Sequence, residues 1–172
     1  RSAAGSHIVH RLNPELDSVD IPEARLVTGP NGARGWLYLP ERSEDGPPPV
    51  IVIPYPGRTY PTPPRNMRPE AVHMTLNGAL LVGAGYAVLY PDLPTNAEPS
   101  HGLADRILSV VDAAGADGSV DVERIGLWGH SFGAWAAVLS ATQSPRASSS
   151  ARNAPKIDSL SSGLASGPRR AP

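Results

Sequence analysis

Residues 124–137 read RIGLWGHSFGAWAA, and the order of their side chains prescribes a strand, a tight turn and a helix. An apolar run, Ile125-Gly126-Leu127-Trp128, leads into Gly129-His130-Ser131-Phe132-Gly133, and a small-residue segment, 134–139, leads out. This is G-x-S-x-G in strand–turn–helix context, the arrangement known as a nucleophile elbow. The turn holds Ser131 at a strand-to-helix corner so that its hydroxyl stands clear of the sheet. Glycines are required on both sides because side chains there would collide with the neighbouring strand and helix, and because the backbone is strained. Ala134, Ala136 and Ala137 let the following helix pack close under the sheet. The competing reading is a glycine-rich turn with an incidental serine; the flanking strand and helix favour the elbow.

The 172 residues suit one domain of ordinary size, long enough to bury a core. Fifteen basic against sixteen acidic residues give a net charge of −1, which offers no electrostatic case for nucleic acid or an anionic membrane as partner. Twenty prolines and seventeen glycines describe a loop-rich chain, and the lack of cysteine removes disulfides, thiol catalysis and cysteine metal sites. No apolar run approaches a membrane span. No signal peptide is readable from Arg1 onward, so a cytoplasmic location is favoured, although a missing start is equally consistent with a fragment. No His/Asp/Glu cluster has metal spacing and no Gly-rich loop has phosphate- or dinucleotide-binding form, so neither cofactor nor metal is expected.

Residues 1–23 form an irregular lead-in. Segments 24–28 and 34–39 read as two strands around Gly29-Pro30-Asn31-Gly32, an antiparallel hairpin at a sheet edge. A charged, proline-rich loop over 41–49 precedes the apolar run PVIVI, 49–53, expected to be a strand buried on both faces. A long loop over 54–69 follows. Residues 70–85 place Val72, Leu76, Leu80 and Leu81 at helical spacing, with Gly83 and Gly85 stopping the helix. YAVLY, 86–90, is a second buried strand, 91–100 another loop, and 103–114 an amphipathic helix with Leu103, Ile107, Val110 and Val111 on one face. A turn-back over 113–122 leads to the elbow strand. The order predicts an α/β class: a mainly parallel, doubly wound sheet with an antiparallel N-terminal hairpin.

After Gln143 the composition changes. Residues 144–172 are almost all Ser, Ala, Arg, Pro and Gly, with Ile157, Leu160 and Leu164 as scattered apolar positions, and disorder is the expected state. The domain reading is therefore a lead-in over 1–23, a partial catalytic domain over 24–143 and a low-complexity tail over 144–172.

Several stretches together resemble the prolyl-oligopeptidase-like serine peptidases of the α/β-hydrolase superfamily. They are GWLYLP (35–40), PVIVIPYPG (49–57), YAVLYPD (86–92), ADRILSVVDAA (104–114), VDVERIGLWGHSFGAW (120–135) and Ala141-Thr142. The resemblance covers roughly 24–143 and corresponds to the N-terminal two-thirds of that family's catalytic domain, C-terminally truncated. It implies the α/β-hydrolase fold, Ser131 as nucleophile, the backbone N–H of Phe132 as one oxyanion donor and the Tyr55 hydroxyl as the second. Such donors are each worth about 2.7–4 kcal/mol of barrier. The structural alternative for Tyr55 is a half-buried aromatic at a strand end. The implied substrate is a peptide or an ester, since an elbow does not distinguish amide from ester; oligomeric state is left open.

The triad departs from the family pattern. Its partners should follow in the order Ser, Asp, His, yet no histidine follows Ser131, and the only later aspartate is Asp158, in the tail. His7, His10, His73, His101 and His130 all precede the serine. Without a base a serine hydroxyl is a poor nucleophile, so the chain as written is expected to be inactive. A shifted reading frame in a GC-rich gene would explain such a tail; a short protein with a disordered tail and an excised fragment are the alternatives. Loss of strands beyond the elbow strand would bare an apolar edge, with low stability or aggregation as the expected result. Asp92, past a strand end, has a loop cap as its default role and substrate contact as the alternative. Arg58, Arg65 and Arg68 are ordinary solvated charges unless they hold a substrate carboxylate. Asp105 and Arg106 read as helix-start electrostatics.

Overall fold

The computed structural model describes residues 22–41, 46–64, 67, 77–95 and 98–147. The expectations for Val72, Leu76, His7, His10, His73, Arg65, Arg68, Asp158, Ile157, Leu160 and Leu164 lie outside these residues, as do most of the lead-in and the tail beyond 147. Strands β1 (Ala24–Thr28) and β2 (Arg34–Tyr38) are the expected hairpin, joined by a tight turn in which Asn31 sits at φ 55°. β3 (Pro49–Val52) and β4 (Ala87–Pro91) are the two apolar runs, and β5 (Asp121–Leu127) is the elbow strand. Helices α1 (Gly78–Gly83), α2 (Leu103–Ala114) and α3 (Phe132–Gln143) complete the framework.

The five strands form one sheet in the order β1-β2-β4-β3-β5. β1 and β4 each pair antiparallel with β2, whereas β3 pairs parallel with both β4 and β5. Only β2 therefore runs against the others: four strands of this mixed sheet point one way, and both antiparallel pairings belong to β2. β5 starts at Asp121, four residues ahead of the apolar run that announced it, because the polar stretch 121–124 still follows β3's edge; a register shift between Pro49 and Val50 accommodates it.

Alternation along the strands divides the core into two layers. On one face Leu37, Leu89, Val50 and Val52 pack under Leu103, Ile107, Val110 and Val111 of α2 and Ala136 of α3. On the other, Tyr38, Val88, Tyr90 and Ile53 meet Met67 and Val82. Burial pushes the Tyr38 hydroxyl up to about 12 and raises that of Tyr90 as well, so both rings stay neutral at any ordinary pH. Helices on both faces make the sheet doubly wound.

One predicted helix face is corrected. Helical spacing put Leu80 with the inward residues, yet it is 72% exposed, and Val82 is buried instead. The described helix begins only at Gly78, where the Asn77 side chain accepts a hydrogen bond from the Ala79 N–H. Gly78 lies so close to Met67 and Tyr90 that a Cβ would come within 2.4 Å of Sδ and 2.6 Å of the hydroxyl. That approach fixes the rotation, and Val82, one turn on, follows Gly78 inward.

Candidate active site

The carboxyl ends of β3, β4 and β5 lie side by side, and the loops leaving them build the site, as is general for parallel sheets. Trp128 N–H donates to Val52 C=O (2.9 Å) and Ile53 N–H to Leu89 C=O (2.9 Å), carrying the strand pairing up to the loops. Beyond them Gly57 N–H donates to Leu93 C=O and Leu93 N–H to Arg58 C=O, both at 2.7 Å, which clamps the Tyr55 loop to the loop after β4.

Ser131 occupies the corner between β5 and α3 with φ 55° and ψ −125°. Positive φ is costly for a residue with a Cβ, and such strain persists only where the surroundings over-determine it. The two flanking glycines show how. A Cβ on Gly129 would stand 2.2 Å from the carbonyl carbon and oxygen of Gly133, and one on Gly133 would stand 2.6 Å from the Pro54 carbonyl oxygen. The first turn of α3 is thus pressed against the end of β5 on one side and the loop after β3 on the other, as the sequence requires. Gly133 N–H donates to His130 C=O (2.9 Å), while Ala134 and Trp135 N–H both donate to Ser131 C=O, closing the turn.

Helix α3 starts at Phe132, directly after the serine, so the Phe132 N–H is one of the helix's unsatisfied first donors. Tyr55 is brought beside the elbow: its ring meets the Phe132 ring edge-to-face at 6.2 Å, and Phe132 in turn stacks on Trp135 at 4.8 Å. The Arg58 guanidinium lies over the Tyr55 ring, 5.5 Å from its centroid. Ser131, Phe132 and Tyr55 therefore share one corner. Trp135 was not singled out from sequence, and its only signal is an aromatic one turn past the serine.

The remaining candidates go elsewhere. Asp92 is engaged by its own surroundings: its carboxylate, 10% exposed, pairs with the Arg34 guanidinium and accepts from the Tyr60 N–H at 2.7 Å. It holds the loop, with Trp36 Nε1 and Arg34 also donating to Tyr60 C=O. His101 and His130 are exposed, and among the described residues neither a histidine nor a carboxylate hydrogen-bonds to Ser131. No group of His, Cys, Asp or Glu among the described residues could hold a metal ion, and none of the described helices is long and apolar enough to cross a membrane.

A shallow cleft of about 230 Å³ is lined by Pro56, Gly57, Pro94, Thr95, Pro99, Arg106 and Phe132, the last being the residue after Ser131. Arg106 was read from sequence as part of the start of α2; nothing in a linear window places it against the loops after β3 and β4.

A similar arrangement of strands and helices occurs in acylaminoacyl peptidase from Pyrococcus horikoshii, which superposes with a TM-score of 0.55 at 19% identity over 82% of this chain. This is the α/β-hydrolase fold. The chain covers 24% of that peptidase, so it spans about a quarter of the other protein's length. Dipeptidyl peptidase 4 from Porphyromonas gingivalis is similar over 70% of this chain and 18% of its own (18% identity, TM-score 0.48). Acetyl xylan esterase from Aspergillus awamori is similar over 69% of this chain and 46% of its own (20% identity, TM-score 0.49). No family model and no curated protein matches the chain.

Proposed function

We propose that the chain carries the nucleophile side of a serine hydrolase site, of peptidase type, with Ser131 as the attacking residue. The observation that carries this reading is the strained backbone of Ser131, held between two glycines whose surroundings admit no side chain. Strain of this kind is kept where it serves a site. In the reaction Ser131 Oγ adds to a peptide or ester carbonyl carbon, the hydroxyl proton passes to a base, and the C–N or C–O bond breaks to leave an acyl-enzyme. The Phe132 N–H and the Tyr55 hydroxyl would hold the oxygen that gains charge, a reading supported by the contact between the two residues' rings. The motifs shared with prolyl-oligopeptidase-like peptidases favour an amide substrate, and a carboxylesterase is the alternative within the same chemistry.

A second reading is a chain that binds an acyl group without hydrolysing it. It is favoured by one observation: among the described residues neither a histidine nor a carboxylate hydrogen-bonds to Ser131. Labelling with a fluorophosphonate probe separates the two. A slow adduct, absent from Ser131→Ala and mapped to Ser131 by peptide mass, supports the nucleophile. No adduct at any pH between 6 and 9 would leave the binding reading standing.

A further inference from the structure

We propose that Asp92, with Arg34 behind it, is the positioning residue for Tyr55, and that it sets the place of the tyrosine ring against Phe132 through the loop between them. The consequence for catalysis rests on the nucleophile reading of Ser131; the control of the ring's place does not.

The loop after β3 carries Tyr55 at its near end and Tyr60 at its far end. Gly57 N–H donates to Leu93 C=O and Leu93 N–H to Arg58 C=O, so residues 57–58 lie antiparallel to the start of the loop after β4. Those rungs are backbone bonds. The hold at the far end is a side chain: the Asp92 carboxylate accepts from the Tyr60 N–H at 2.7 Å. At the near end Arg58 N–H donates to Tyr55 C=O at 3.0 Å, and the Arg58 guanidinium covers the Tyr55 ring. Arg58 therefore belongs both to the rungs and to the ring's surroundings. The ring in turn meets Phe132, the residue after Ser131. Asp92, Tyr60, Arg58, Tyr55 and Phe132 make one unbroken series of contacts.

Arg34 gives the carboxylate its leverage. Its guanidinium pairs with Asp92 and also donates to Tyr60 C=O at 3.0 Å, while Arg34 C=O accepts from Asp92 N–H at 2.7 Å. One cation thus bridges the residue that holds and the residue that is held. Charge-assisted bonds to a carboxylate only 10% exposed are strong, and a donor left without its acceptor there is costly. Removing the carboxylate strands the Tyr60 N–H and the Arg34 charge together. Both turn to water for relief, and the movement of Tyr60 is passed to Arg58, two residues away, and so to the Tyr55 ring. Misplacing a catalytic group by about 1 Å costs up to about 100-fold in rate. Asp92 acts at that distance, through the loop.

The test uses the full chain labelled with 3-fluorotyrosine, which gives one fluorine resonance for each of five tyrosines. Loss of a resonance in Tyr55→Phe identifies that of Tyr55. Asp92→Ala is expected to shift it toward the position of free 3-fluorotyrosine, and to slow fluorophosphonate labelling of Ser131 about tenfold or more. Asp92→Asn keeps an acceptor for the Tyr60 N–H and should restore part of both. Val120→Ala, a change to a buried residue at the opposite end of the parallel strands, should lower the urea midpoint and leave the Tyr55 resonance in place. Added to Tyr55→Phe, Asp92→Ala should slow labelling no further, because both act through one hydroxyl. A Tyr55 resonance that stays put in folded Asp92→Ala, or that Val120→Ala moves as far, would overturn the assignment, and so would additive losses in the double variant. Should Asp92→Ala lose its far-ultraviolet circular dichroism, Arg34→Gln decides: a displaced Tyr55 resonance supports the assignment and an unmoved one overturns it. A parent chain that takes no fluorophosphonate defeats the nucleophile reading, and the fluorine resonance then decides the placing of Tyr55 alone.

Discussion

Ser131 shows how much of a site can rest on atoms that are not there. Its own φ of 55° is unfavourable, and what holds it is the closeness of two backbones that only hydrogen atoms at 129 and 133 permit. Gly129→Ala puts a methyl group 2.2 Å from the Gly133 carbonyl. Relief requires moving the first turn of α3 away from β5, so the variant should lose at least about 1–3 kcal/mol, the usual cost of overpacking. A lower urea midpoint, together with loss of any Ser131-dependent labelling, is the expected result; an unchanged midpoint would show that the corner is not under steric control. Asp92 teaches the converse. A carboxylate beyond a strand end reads as a candidate for substrate contact, but a cation 58 residues away in the chain has claimed it.

At the scale of elements, α2 and α3 differ in what their apolar residues do. The 3.6-residue pattern of α2 is honoured, with Ile107 and Val111 buried against the sheet. In α3 Gly133, Ala136 and Ser140 are buried, so Ala136 is its one fully covered apolar side chain, and Val138 is 68% exposed. Ile107→Ala should therefore cost about 2–5 kcal/mol, as for other large-to-small core changes, while Val138→Ala should stay within about 0.5 kcal/mol. Denaturant midpoints of the two variants, measured side by side, check this; similar losses would mean that α3 is covered on its outer face. The two helices are also tied end to end. Gln143, the last residue of α3, accepts from the Ala104 N–H (3.1 Å) and donates to the Ser100 carbonyl (2.8 Å), so the end of one helix caps the start of the other.

For the whole molecule, surface ion pairs give a modest, directional pH dependence. Hydrogen bonds from Ser119, and then the Arg25 guanidinium, hold the Asp117 carboxyl at about 2, and the Arg124 guanidinium holds Asp121 below its usual range. Both are depressed in the folded state relative to an unfolded carboxylate near about 3.9. Their contribution is thus fully present above about pH 5, and is lost as the pH falls through about 4 toward 2. Both pairs are solvent-accessible and screened, so the loss should be small. The urea midpoint should fall between pH 6 and pH 3, and by less in 0.5 M salt; a midpoint that rises on acidification would contradict the assignment. Arg25 reaches across 92 residues to Asp117, and its second nitrogen donates to Ala114 C=O at the end of α2, so the pair also pins the edge strand to that helix.

What the sequence determined by itself was local in origin. The hairpin 24–38, the strand in each of the two apolar runs (buried throughout in β4, with Pro49 and Ile51 only half-buried in β3), the bounds of α2 and the corner at Ser131 all follow from periodicity or turn chemistry within a few residues. Only the tertiary structure decided the neighbours. The order β1-β2-β4-β3-β5, the outward turn of Leu80, the capture of Asp92 by Arg34 and the placing of Arg106 against the Phe132 side of the cleft depend on how distant segments meet. Side-chain type fixes what a residue can bond to, but the path of the chain fixes which partner arrives. For Asp92 a partner came from β2, 58 residues back in the chain, and for Arg106 the Pro94 carbonyl came from the loop after β4.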